Sequence, residues 1–224
     1  MADPLDLREE SEWVRSHNFR RDVRPLVLAG IAVCGVLAGG LLGGTTNAIN
    51  GWVSPTYFIT VLRWQGIEDV WRASVAQGIF EGFLFGVFFS LVFTVTTGNI
   101  TGGACSFGFA FKHLLGVLGG AYTCWVLGGL AAIGLASLSP GFFRQTFFRV
   151  PQEFGAMLRY AWVGGSIWGA EVGGLVSVIV GLVILRANWR RGHAITSGPS
   201  TANYEQQPIG RENDGSTDHN ITPA

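Results

Sequence analysis

The sequence predicts an all-α integral membrane protein. Its four transmembrane helices are expected to form a tandem duplicated helical hairpin with glycine-zipper packing and two interfacial outer helices. Three observations carry this reading. Four apolar runs lie near 26–44, 73–97, 112–136 and 160–186, with charge concentrated outside them. Each run carries glycine at or close to every fourth residue. Finally, residues in the first half recur in the second at an offset of 85 to 87.

Only 13% of the chain is charged against 48% hydrophobic, well below the charge of an ordinary soluble domain. A run such as 26–44, holding only Leu, Val, Ala, Ile, Cys and Gly, approaches the roughly 20 residues needed to cross about 30 Å of hydrocarbon. A soluble core helix would be shorter and would keep a polar stripe. The first run is too long, and its preface too acidic, for a secretory signal peptide, so it is expected to be retained. Val33 before Cys34 also excludes lipidation, which wants a small residue there.

The repeat is written in small residues. Gly35, Gly39 and Gly43 recur as Gly120, Cys124 and Gly128, and Ser54-Pro55 recurs as Ser139-Pro140, at an offset of 85. At an offset of 87, Arg72, Gly78, Gly82, Gly86 and Ser90 meet Arg159, Gly165, Gly169, Gly173 and Ser177. Each unit contains two crossings, so the two copies enter the membrane in the same sense, as a parallel repeat. This disfavours the inverted repeats of many alternating-access carriers. In lipid the hydrophobic effect barely drives helices together, and small residues gain close backbone contact instead. Additional glycines at Gly40, Gly119, Gly164 and Gly174 favour a homo-oligomer or contact with other membrane proteins.

The chain accordingly divides into an N-terminal cytoplasmic segment (1–24), a first hairpin (25–97), an inner Gly-rich loop (98–111), a second hairpin (112–187) and a disordered cytoplasmic tail (188–224). Both termini are expected inside, because Arg20, Arg21, Arg24, Lys112, Arg186, Arg190 and Arg191 outnumber Arg63, Arg72, Arg144, Arg149 and Arg159 on the other side. The N-terminal segment suits a short helix on the inner surface. In each outer loop Ser-Pro predicts a short helix, with Ser54 or Ser139 as N-cap and Pro at the first helical position. Aromatics such as Tyr57, Phe58, Trp64, Phe142 and Phe143 would hold these helices in the interface.

Acids inside the bilayer are the residues most expected to carry chemistry, because ionisable groups there are expensive and face protein or water. Glu81 and Glu171 lie about 13 and 18 Å along their helices from Arg72 and Arg159, near mid-membrane. Ser74 and Gln77 precede Glu81 by seven and four residues and predict a polar stripe fit for a proton or cation. The two acids are not repeat equivalents, since Glu81 matches Trp168 and Glu171 matches Leu84. A plain structural role is the alternative, with each acid hydrogen-bonded to another helix through Trp125 or Trp168. His113, beside Lys112 at the inner surface, is a further candidate.

Other chemistry is excluded. Thr96 to Cys105 has the glycines of an anion-binding loop but lacks the Gly-Lys-Ser/Thr ending and preceding strand of a P-loop, so it reads as a tight inner turn. Cys34, Cys105 and Cys124 form neither a disulfide framework nor a metal spacing, so neither metal nor cofactor is expected. The balance of 15 basic and 15 acidic residues gives no argument for nucleic acid.

Four glycine-striped helices with both ends on one side resemble, in layout alone, the mitochondrial inner-membrane protein-translocase group, and the resemblance assigns no residue a role. Two functions are therefore expected. One is a small channel or transport subunit passing a proton or small cation along Glu81, Gln77, Ser74 and Glu171. The other is a non-enzymatic scaffold or assembly subunit of a larger membrane complex. With no nucleophile and base pair, no metal set and no phosphate motif, an enzyme is not expected.

Overall fold

A computed structural model of the chain describes residues 25–196, with side chains described through residue 192. The expected N-terminal surface helix, and the tail beyond residue 196, lie outside the described residues. By contacts the chain divides into two compact units, 1–189 and 190–224, and the cavity and hairpins lie in the first.

Among the described residues there are six helices and no strand: α1 (Pro25–Val53), α2 (Pro55–Val61), α3 (Val70–Thr101), α4 (Phe107–Leu138), α5 (Pro140–Thr146) and α6 (Phe154–Thr196). The long helices α1, α3, α4 and α6 are long and apolar enough to cross a membrane. They make the chain a multi-pass integral membrane protein. Their outward faces fit lipid: Phe80, Leu84, Phe88 and Leu91 on α3, and Val172, Ile179 and Val183 on α6, are all exposed.

Helix α1 runs nine residues past the apolar segment that predicts it. It continues through Thr45, Thr46, Asn47 and Asn50 because the threonine hydroxyls bond their own helix, Thr45 to the Leu41 carbonyl at 2.7 Å and Thr46 to that of Leu42 at 2.8 Å. Asn47 and Asn50 turn inward. The Gly-rich loop is likewise shorter than the sequence suggests, since α3 extends to Thr101. Gly102 (φ 60) and Gly103 (φ 74) then take left-handed conformations that close the helix, and Ser106 caps α4 by accepting from the Phe109 amide.

Helices α2 and α5 begin where Ser-Pro places them, with Pro at the first turn, yet neither Ser54 nor Ser139 makes a side-chain capping bond. Backbone bonds close these junctions instead, with the Ser54 amide on the Asn50 carbonyl and the Ser139 amide on that of Leu135. After the two short helices, Arg63 (φ 57) and Arg149 (φ 48) adopt left-handed backbone conformations 86 residues apart. Phe58 (1% exposed) and Phe143 (2%) are the buried anchors of their respective short helices.

The helix contacts are made through glycine. A β-carbon on Gly39 would stand 2.7 Å from the Gly86 α-carbon, and one on Gly128 would stand 2.7 Å from the Gly169 α-carbon. Gly43 and Gly78 face each other's carbonyls, as do Gly128 and Gly165. Further along, Gly35 opposes Ser90 in the α1/α3 pair and Gly120 opposes Ser177 in the α4/α6 pair, while Gly82 lies on Gly39 and Gly173 on Cys124. At this separation the α-carbon hydrogens point at carbonyl oxygens across the contact, each worth about 0.5–1 kcal/mol. Polar links add to it: Ser90 donates to the Ala32 carbonyl at 2.7 Å, and Thr45 bonds Tyr122 at 2.6 Å, joining α1 to α4.

Candidate functional site

The four long helices line a partly open cavity of about 140 Å³. Helix α1 contributes Gly39, Leu42, Thr46 and Asn47; α3 contributes Glu81, Phe85 and Phe89; α4 contributes Leu114, Leu118 and Ala121; and α6 contributes Ile167, Ala170, Glu171 and Gly174. Glycine makes room for it. Where Gly39 and Gly82 bring α1 and α3 into backbone contact, the neighbouring face of each helix is left to line the space between the pairs.

Glu81 and Glu171 both line this cavity, one from each helix pair. Glu81 accepts a 2.6 Å hydrogen bond from the Gln77 amide one turn earlier, which fixes its rotamer. Glu171 makes no hydrogen bond among the described residues. Neither acid bonds a tryptophan: Trp168 is 65% exposed, and Trp125 packs edge-on to Trp162 at 5.4 Å with its indole N–H unpartnered.

The other sequence candidates lie elsewhere. Ser74 is fully buried in the α1/α3 contact, where its hydroxyl reaches the Trp71 carbonyl at 2.7 Å and the Asn47 carbonyl at 3.2 Å. It therefore braces the pair and does not line the cavity, and Gln77 reaches the cavity only through Glu81. His113 sits apart, bonded to the Phe109 carbonyl at 2.8 Å and to Asn188 at 3.1 Å, with its ring 4.7 Å from Phe109. Cys34, Cys105 and Cys124 are free thiols.

The structure adds residues that the apolar pattern hides. Asn47 (6% exposed) lines the cavity, and its backbone carbonyl accepts from the Ser74 hydroxyl. Asn50, one turn on and fully buried, accepts from the Ser166 hydroxyl at 3.1 Å, while its amide nitrogen has no partner. Tyr57, on α2, packs on Tyr160 at 5.0 Å and against Gly164 of α6. Burial first, then the charges of Glu171 and Glu81, push the Tyr57 phenol above its ordinary value, so it is neutral at physiological pH.

The cavity thus has two unlike ends. Toward α2, Thr46 and Asn47 line the cavity, and the fully buried Asn50 and Ser166 are bonded to each other one turn further on. At the other, Phe93, Leu114, Val117 and Val178 join Ile31 and Leu185 in a buried apolar cluster. Comparison with protein families, characterised proteins and solved structures gives no match for this chain.

Proposed function

We propose that the protein is a small transport subunit that passes a proton or small cation through the cavity between its helices, with Glu81 and Glu171 taking up and releasing the charge. One observation carries the reading: two acids at non-equivalent sequence positions meet on the wall of a single cavity. No covalent step is involved. The architecture is read as two copies of one helical hairpin joined by glycine zippers. Supporting this are the matching contacts of Gly43 with Gly78 and Gly128 with Gly165, and the paired left-handed Arg63 and Arg149. In this reading both termini are cytoplasmic, and α2 and α5 lie in the outer interface. Glycines with nothing opposite them, such as Gly119, face a second copy.

The test is flux in proteoliposomes. A conducting carboxylate loses flux in Glu81→Gln, whereas one that only holds the Gln77 amide tolerates the isosteric change.

A second reading, a scaffold or assembly subunit, is favoured by the buried apolar cluster of Phe93, Leu114, Val117 and Val178 on the cavity wall. Mass spectrometry of the intact particle from native membranes separates the two. A stoichiometric foreign subunit supports the scaffold, and a homo-oligomer alone supports transport.

A further inference from the structure

We infer that the cavity binds a small organic ammonium ion, of about the size of a benzene ring bearing one charged nitrogen, as the cargo of the transport reading above, on which this inference rests.

Size sets the first limit. An apolar cavity of about 150 Å³ is large enough to take benzene, and this one holds about 140 Å³. Its wall is chiefly apolar, with Leu42, Phe85, Phe89, Leu118 and Ile167 around it. Phe85 and Phe89 stack with ring centroids 6.1 Å apart, and such rings attract cations through their faces.

Charge sets the second limit. Glu81 and Glu171 stand on the wall, and no Lys, Arg or His lines it, so the cavity favours a cation over an anion. A hard metal cation is poorly served. Calcium takes six to eight oxygens and magnesium demands near-ideal octahedral geometry, while the described residues contain no group of three His, Cys, Asp or Glu able to hold a metal. An ammonium N–H needs only one or two acceptors, and the apolar remainder of the ligand uses the wall that a metal would waste.

The third observation is Asn47. It is 6% exposed and lines the cavity, so it adds a polar group to the wall. Its carboxamide oxygen is a neutral acceptor on the same wall as the two acids, available to an ammonium donor.

The experiment is calorimetric titration of the full-length protein in detergent with benzylammonium and, separately, with benzyl alcohol of nearly the same shape. The expected result is saturable benzylammonium binding that falls at least tenfold in the Glu81→Gln/Glu171→Gln double variant, with benzyl alcohol binding unchanged. Phe89→Ala should weaken both ligands, as a wall residue would. No saturable binding by a protein with native helical content, or equal losses for both ligands in the double variant, overturns the inference. Proton flux without benzylammonium binding overturns it while leaving the transport reading intact. Binding without flux supports the site and sinks transport.

Discussion

Glu81 on α3 and Glu171 on α6 line one cavity, although the repeat sets Trp168 opposite the first and Leu84 opposite the second. The glycines of the helix contacts recur at the repeat's offsets, and the polar residues in and beside the cavity do not. Asn47 has Ala132 as its counterpart, and both press on the equivalent glycines Gly78 and Gly165. Asn50 corresponds to Leu135 and Tyr57 to Phe142. The polar lining is thus asymmetric, while the glycine contacts of the α1/α3 and α4/α6 pairs match.

The frame predicts which glycines matter. A β-carbon on Gly82 would lie 3.1 Å from the Gly40 α-carbon and closer still to the Gly39 carbonyl, both backbone groups that cannot yield. Gly82→Leu and Gly169→Leu should each lose on the order of 1–3 kcal/mol or more of stability, seen as a lower thermal midpoint in detergent. Gly119 has nothing within 4 Å, so Gly119→Leu should leave the monomer's midpoint unchanged. A shift from oligomer to monomer in that variant, measured by native mass spectrometry, would place a neighbouring copy on this face.

Asn50→Leu writes the second hairpin's residue into the first. The Ser166 hydroxyl keeps its bond to the Val163 carbonyl at 3.1 Å, so no new orphan is created. The expected loss of stability is about 1 kcal/mol or less. Flux should nonetheless fall severalfold, because a buried polar group one turn from the cavity residue Asn47 is gone. Flux equal to wild type would remove Asn50 from the route.

Tyr57 should titrate late. Its raised value means that folded protein holds the proton where the unfolded chain, at about 10.0, gives it up. The stabilising contribution is thus complete below pH 10 and is lost as pH rises through the folded value. Ultraviolet titration of wild type against Tyr57→Phe should show the missing phenol ionising above pH 10. A difference spectrum that titrates below pH 10 would show that Tyr57 is not buried beside the acids.

Most of the frame was legible in the sequence because its signals are local or periodic. Apolar length announces a span, and a four-residue glycine period announces a helix contact whatever the neighbours are. The Ser-Pro starts of α2 and α5 were equally plain, although the capping bonds are absent. The cavity was only partly legible. Its two acids stand out because charge inside an apolar run is rare. Asn47 and Asn50 do not, since they sit past Gly44, where the apolar run ends. Their inward orientation depends on α1 continuing to Val53, which Thr45 and Thr46 permit by bonding their own carbonyls. Ser74 misleads for the opposite reason: spacing puts it in register with Glu81, but the close approach at Gly78 buries it against α1.

The most direct test of the transport reading is the rate at which a pH gradient collapses across proteoliposomes holding wild type, Glu81→Gln, Glu171→Gln or the double variant, each with native helical content by circular dichroism. The account predicts wild-type flux well above empty liposomes, and at least a tenfold drop in either single variant. Wild-type flux equal to that of empty liposomes, or undiminished flux in the double variant, would contradict it.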